Sequence, residues 1–484
     1  MAPGITVIGL GPGDPNQITL EAQSALSGAS EVYLRTERHP SVDSLLRGIS
    51  YRSFDDVYER LETFEEVYQE IARWVAELGE RPQGVVYAVP GHPLVGERTV
   101  ALLLDLARER GLPIRIIAGV SFLEPTLTAL GIDPFDGLQI CDATALAQKH
   151  HPNLDPDVGA LIVQVYSRHV AADVKMTLTN LYHDTQPITL VRHAGTAEQA
   201  LDEMPLYMLD RRDDLDHLTS VYIPPLPQPG SLSSYQGILA RLRAPGGCPW
   251  DREQTHQSLR SYLLEEAYEV LEALDADDMD KLQEELGDLL LQILLHAQIA
   301  SEGQEFKLID VVRHSIEKLV RRHPHVFADT SVENAEDVAR NWEQIKREER
   351  AGEFVSMLAG INKALPALSQ AMDMQRRAAR VGFDWPSAEP VAEKVAEEID
   401  EFLKAPDAES RTAEMGDILF SLVNLSRWHG IDPESALREA DQRFARRFAR
   451  VERYAAKAEK PLEKMTPEEM DALWERAKRE EHNG

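Results

Sequence analysis

The run Ile223-Pro-Pro-Leu-Pro-Gln-Pro-Gly230 divides this 484-residue chain into two kinds of sequence. Proline lacks a backbone donor and pushes its neighbour out of the helical region, so the run suits a stiff extended linker. Before it, short apolar runs end in glycine turns; after it, long amphipathic patterns carry little strand signal. Charged residues follow the same division, 49 in 1–230 against 84 in 231–484. The net charge of −31 is shared almost evenly, so neither half is a basic arm. Without a basic excess the chain has little means of neutralising a phosphate backbone, and no nucleic-acid partner is expected. Two cysteines, Cys141 and Cys248, exclude a disulfide framework and suit a reducing, cytoplasmic setting. No apolar run reaches the length of a membrane span, and the N-terminus lacks a signal-peptide pattern.

The second half repeats one motif. Glu-Glu-Ala-Tyr-Glu (265–269) is followed by Glu-Leu-Gly-Asp (285–288), and Glu-Glu-Ile-Asp-Glu (397–401) by Glu-Met-Gly-Asp (414–417). Residues three or four apart share a helix face, so Glu265, Glu266 and Glu269 project together, as do Glu285 and Asp288. Leu263, Ala267, Val270, Leu271 and Leu274 form an apolar stripe on the first helix; Leu282, Leu286, Leu289, Leu290 and Ile293 form one on the second. Packing of the stripes is expected to bring the acidic faces to one seam. Carboxylates gathered there repel unless neutralised, and an all-oxygen set suits Mg²⁺ or Mn²⁺ over zinc. An acidic helix in an acidic chain is ordinarily a solvated face. Two features argue otherwise here. The arrangement recurs, and Gly287 and Gly416 each cost a helix interior roughly 1 kcal/mol relative to alanine with no evident structural return.

Cations and aromatic residues follow in the same order in both copies: Lys318, Arg322, Trp342 and Lys346, then Arg443, Arg447, Trp474 and Lys478. A divalent ion, several basic side chains and an aromatic surface together describe a nucleoside triphosphate site. With Gly-Gly-Cys-Pro-Trp-Asp (246–251), Arg-His-Pro-His-Val-Phe (322–327) and Gly-Phe-Asp-Trp (382–385), residues 231–484 resemble the MazG family of nucleoside triphosphate pyrophosphohydrolases. That resemblance implies helical bundles cleaving an NTP or dNTP to NMP and pyrophosphate with Mg²⁺. It implies metal ligands Glu266, Glu269, Glu285 and Asp288 in the first copy, and Glu398, Glu401, Glu414 and Asp417 in the second. Glu265 and Glu397 become the candidates that orient or deprotonate the attacking water, and the eight cationic and aromatic residues the nucleotide contacts. The second copy departs from the family pattern at Arg443, where lysine is expected, and at Asp441, where asparagine is expected. The first copy keeps the pattern better, family habit favours the second, and the choice between them stays open.

In the first half, apolar runs at Ile5–Leu10, Val85–Val89 and Ile114–Ala118 end in Gly-Leu-Gly-Pro-Gly-Asp-Pro (9–15), Pro-Gly-His-Pro (90–93) and Gly-Val-Ser (119–121). Leu161–Val165 and Ile188–Val191 are further strand candidates, with helices expected over 55–78 and 97–110. Strand, glycine turn and helix in alternation argue an α/β sheet with ligands at the strand ends. The set of loops resembles the tetrapyrrole methylase family over residues 1–224. That family implies two α/β lobes with S-adenosylmethionine between them. Gly9, Gly11, Gly13, Gly91, His92, Pro93 and Ser121 would then line the donor pocket, with Asp14 near the acceptor. The family's Gly-Asp-Pro is Gly91-His92-Pro93 here, which changes the polarity at the cofactor.

The expected architecture is multidomain: an α/β two-lobed methylase-like domain (1–224), a Pro-rich linker (225–230), and two all-α MazG-like bundles (231–350 and 356–484). Three readings compete. The leading one is an Mg²⁺-dependent nucleoside triphosphate pyrophosphohydrolase, expected as a homodimer. The others are an S-adenosylmethionine-dependent tetrapyrrole methyltransferase with a helical dimerisation half, and a nucleotide or S-adenosylmethionine sensor without turnover.

Overall fold

The computed structural model describes residues 3–328, 330–332, 334, 337, 338, 341, 342, 345 and 356–482. The chain forms two compact units, Met1–Arg241 and Leu242–Gly484. The division falls inside the helix Leu232–Arg243.

The first unit contains two five-stranded sheets. The first is built from β1 (Ile5–Gly9), β2 (Val32–Leu34), β3 (Tyr51–Ser53), β4 (Val85–Val89) and β5 (Ile114–Ile117). Its order is β3-β2-β4-β1-β5, and every pair is parallel. The inner strands β1 and β4 are almost wholly buried, as continuous apolar runs in a parallel sheet must be. After β1 the chain returns beyond β4, and after β4 it returns beyond β1. This reversal is the switch point at which such sheets open a crevice. The second sheet comprises β6 (Leu138–Asp142), β7 (Gly159–Val163), β8 (Pro187–Arg192), β9 (Ala200–Pro205) and β10 (Thr219–Ile223), in the order β6-β7-β10-β8-β9. Only β6 and β7 run parallel there; the other pairs are antiparallel.

The helix expected over 55–78 is two helices, Asp55–Arg60 and Phe64–Gly79. Thr63 separates them by capping the second in a reciprocal box with Glu66, which satisfies amides that an uninterrupted helix would use internally. The Pro-rich segment is tied down. Leu226 N–H donates to Pro156 O, and the amides of Gly230 and Ser231 donate to the Asp157 carboxylate at 2.8 and 3.0 Å.

The second unit is helical. Arg260–Asp275 and Met279–Glu302 form one hairpin, and Ala388–Lys404 and Ala408–Trp428 form another. Each has a three-residue turn ending in an aspartate N-cap, Asp278 or Asp407. Arg438 and Asp275 join the copies at 2.9 Å. The expected apolar stripes are not fully buried among the described residues: Leu274 is 51% exposed, Leu286 50% and Leu263 37%. What the first hairpin buries includes Ala273, Leu294, Leu295 and two polar side chains, Glu285 and Gln292. Helix Leu308–Arg322 likewise leaves Ile309, Ile316 and Leu319 more than half exposed.

Candidate functional site

Each helical hairpin carries a knot of carboxylates. In the first, oxygens of Glu266, Glu285 and Asp288 lie within 4.8 Å of one another; in the second, those of Glu398, Glu401 and Glu414 do. The helix period explains the grouping. Glu398 and Glu401 are three apart on one helix, as Glu285 and Asp288 are on another, and the antiparallel partner supplies the third acid. Glu269 and Asp417 sit beside these groups as charged neighbours rather than within them.

The electrostatics are those of crowded like charges. Burial, with Asp288 and Glu269 alongside, pushes the Glu266 carboxyl above its ordinary value. Burial and Glu269 do the same at Glu285, and burial with Glu401 and Glu398 at Glu414. Protons or a cation relieve such a set. Three carboxylates with few competing donors fit a hard divalent ion.

The copies differ in their local cations. Lys394 approaches Glu398 at 2.9 Å and Glu397 at 3.1 Å. The spacing of three and four residues makes this contact visible in sequence, but sequence reasoning passed over it. In the first copy Lys281 pairs with Glu272 at 3.1 Å, at the edge of the cluster. Glu265 is exposed. Gln292, also passed over, is buried with its amide nitrogen 3.4 Å from Glu266 Oε1. A Cβ at Gly287 or Gly416 meets nothing within 4 Å, so packing inside the chain does not require either glycine.

The expected nucleotide contacts are only partly assembled. In the second copy Arg447 lies over the Trp474 ring at 6.0 Å and pairs with Glu481 at 2.5 Å. Phe444 adds a second ring 5.1 Å from Trp474. Arg443 is exposed, and Lys478 pairs with Glu475 at 2.8 Å. In the first copy Lys318 and Arg322 lie on the helix Leu308–Arg322, and Trp342 meets His323 edge-on at 5.0 Å. Lys346 lies outside the described residues.

In the first unit the glycine loops meet at the switch point. Gly91 N–H donates to Gly11 O at 2.7 Å, and Gly11 N–H returns a bond to Gly91 O at 3.3 Å. A Cβ on Gly9 would stand 2.5 Å from Gly91 O and 2.6 Å from Gly119 N. Gly9 is therefore required by backbone contact among the three loops. Gly11, Gly13 and Gly91 have φ of +80°, +139° and +64°, and beside Gly91 a Cβ would meet open space. Asp14 caps the turn Pro15–Gln17 through Asn16 N–H. Pro93 is buried. His92 Nδ1 accepts the Leu94 amide at 3.1 Å, the short-range bond an aspartate makes in an Asx turn. Ser121 is buried, donating to Glu124 and accepting from Leu123 N–H, so its hydroxyl serves the adjoining helix.

A two-sheet α/β unit with a glycine junction, joined to paired helical hairpins carrying acidic knots, defines a fusion of a methylase-type with a pyrophosphohydrolase-type module. Comparison with known proteins agrees. The family model for Tetrapyrrole (Corrin/Porphyrin) Methylases matches residues 4–210, that for the MazG nucleotide pyrophosphohydrolase domain 254–327, and that for Phosphoribosyl-ATP pyrophosphohydrolase 365–444. The uncharacterized protein YabN of Bacillus subtilis is 44% identical over 99% of both chains. The chain belongs to this family of fused tetrapyrrole methylase–MazG proteins. The nucleoside triphosphate pyrophosphohydrolase/pyrophosphatase MazG of Thermotoga maritima is 47% identical across 50% of this chain and 93% of its own. The nucleoside triphosphate pyrophosphohydrolase of Escherichia coli K12 is 47% identical across 50% and 95%. Among solved structures, uroporphyrin-III-C-methyltransferase from Thermus thermophilus aligns at TM-score 0.35 and 19% identity, covering 46% of this chain and 92% of that one.

Proposed function

We propose that the helical unit is an Mg²⁺-dependent nucleoside triphosphate pyrophosphohydrolase. The observation that carries this is the pair of three-carboxylate knots, each with oxygens within 4.8 Å. A divalent ion bound there would supply positive charge against a triphosphate and lower the pKa of a bound water. In the first copy Glu266, Glu285 and Asp288 would hold it, with Glu269 adjacent; in the second Glu398, Glu401 and Glu414 would, with Asp417 adjacent. Water attacks the α-phosphorus, the bond from it to the α–β bridging oxygen breaks, and pyrophosphate leaves. Glu265 or Glu397 takes the proton from the water. Arg447 with Trp474, and their counterparts Arg322 and Trp342, hold the nucleotide.

The test is pyrophosphate release from a panel of NTPs and dNTPs with Mg²⁺. Glu266→Gln combined with Glu401→Gln should lower it about 100-fold or more, since each lost ligand removes transition-state charge stabilisation. Unchanged release in the double variant rules the metal assignment out.

The first unit is read as an S-adenosylmethionine-binding module. Support comes from the methylase family model and from the open side of Gly91 beside His92. Calorimetric titration with S-adenosylmethionine decides it. A homodimer is supported by the helical unit's unburied apolar stripes, because soluble monomers rarely expose contiguous apolar faces of that extent. No described helix is long and apolar enough to cross a membrane. Two unpaired cysteines agree with a cytoplasmic setting.

A further inference from the structure

The loop that follows β2 reaches the glycine junction of the first unit. On that loop, His39 brings its Nε2 to 3.0 Å from Gly11 O, and its Nδ1 lies 2.9 Å from Ser41 Oγ. A carbonyl only accepts, so the ring proton sits on Nε2 and the bare Nδ1 accepts from the Ser41 hydroxyl. No other single-proton arrangement satisfies both contacts. Burial, with His217 nearby, holds the imidazole below its ordinary pKa, so this neutral ring is the resident form near neutrality.

Ser41 is wholly buried and stands at the N-cap of the short helix Val42–Leu45, yet its side chain caps no amide there. Serine at that position ordinarily accepts from an amide of the first turn. Here the hydroxyl is committed to His39 instead.

The peptide that His39 meets has few holds of its own. Gly11 is followed by Pro12, so the peptide between them has no N–H, and its only polar handle is the Gly11 oxygen. Gly11 has φ +80°, in a region where glycine is free to move, so its stereochemistry does not fix the plane. The oxygen is held from two directions: Gly91 N–H donates to it at 2.7 Å, and His39 Nε2–H at 3.0 Å. A carbonyl has two lone pairs, and both are then used. Gly11, Pro12 and Gly13 are all buried. The residue after His39 continues the support, since a Cβ on Gly13 would stand 3.3 Å from Pro40 Cγ.

We propose that His39, oriented by Ser41, is a positioning residue that sets the Gly11–Gly13 loop for S-adenosylmethionine. The inference rests on the reading of the first unit as a module that binds this donor. With both ring nitrogens occupied, His39 has no polar atom left for the ligand and acts through the loop.

The test is calorimetric titration of the full chain with S-adenosylmethionine near neutral pH, together with ring ¹⁵N spectra of the histidines. In the wild type His39 should carry its proton on Nε2. A glutamine side chain places an amide N–H close to where Nε2–H stands, whereas asparagine stops one bond short. His39→Gln should therefore bind the donor within about threefold of the wild type. His39→Asn and His39→Leu should bind it about 10-fold more weakly, the scale of one buried hydrogen-bond partner lost. A role in folding alone would show as a lowered melting temperature with unchanged donor affinity, and that result overturns the proposal. Equal affinity in the Gln and Asn variants, or a wild-type His39 protonated at Nδ1, overturns it as well. A wild type that does not bind S-adenosylmethionine overturns the donor reading itself, and the inference falls with it.

Discussion

At the scale of single residues, the two acidic knots are not equivalent. Lys394 brings an ammonium to Glu397 and Glu398, one of which is buried. A resident cation competes with an incoming one. Lys394→Met is expected to raise the divalent-ion affinity of the second knot about two- to fivefold, the scale of a partly exposed ion pair. Mn²⁺ titration of the variant measures it, and weaker binding would mean that Lys394 organises the site rather than competes in it. The acids themselves were legible in sequence because three- and four-residue spacing on a helix is a local rule. Gln292 was not. One glutamine in the apolar run Leu289–Leu295 carries no pattern, and its direction toward Glu266 depends on how two helices pack.

At the scale of elements, the glycine junction and the proline-rich segment make opposite demands. Gly9 tolerates no side chain, since a Cβ would lie 2.5 Å from a carbonyl oxygen that cannot withdraw. Gly9→Ala should therefore disrupt the first sheet, seen as lost near-ultraviolet dichroism and rapid proteolysis of residues 1–241. The segment at 230–234 depends on charge. Hydrogen bonds from Ser234, then from Gly230 and Ser231, hold the Asp157 carboxyl down at about 2. A depressed carboxyl stabilises the fold above its unfolded value and loses that contribution as pH falls through the folded one. Proteolysis near 225–231 should rise as pH drops from about 4 toward 2, and at neutral pH in Asp157→Ala.

Strands β1, β4 and β5 were legible as apolar runs ending in glycine. The three-residue β2 and β3 were not, being too short for any period to show. β9 was missed because its sequence Ala-Leu-Asp-Glu-Met-Pro breaks alternation at an edge position. The helix expected over 55–78 needed Thr63 and Glu66 to be recognised as a capping pair.

At the scale of the whole molecule, amphipathic stripes can be seen in sequence, but what covers them cannot. The stripes of the two motif helices were expected to pack against each other, yet Leu274, Leu286 and Ile293 remain about half exposed, as does Ile316 on the helix Leu308–Arg322. A homodimer of about twice 54.3 kDa is expected by sedimentation. Leu286→Asp with Ile316→Asp should yield monomers; a wild type that sediments as a monomer at micromolar concentration would require another cover for these faces.

The contact of Gly9, Gly91 and Gly119 limits how the first unit can diversify. Gly9 and Gly119 have room for hydrogen alone there, since a Cβ would stand 2.5 Å from Gly91 O on the first and 2.3 Å on the second, so that part of the crevice floor is closed to chemical variation. A change of ligand among chains of this build must be written into the walls, at positions such as His92, while the base stays constant.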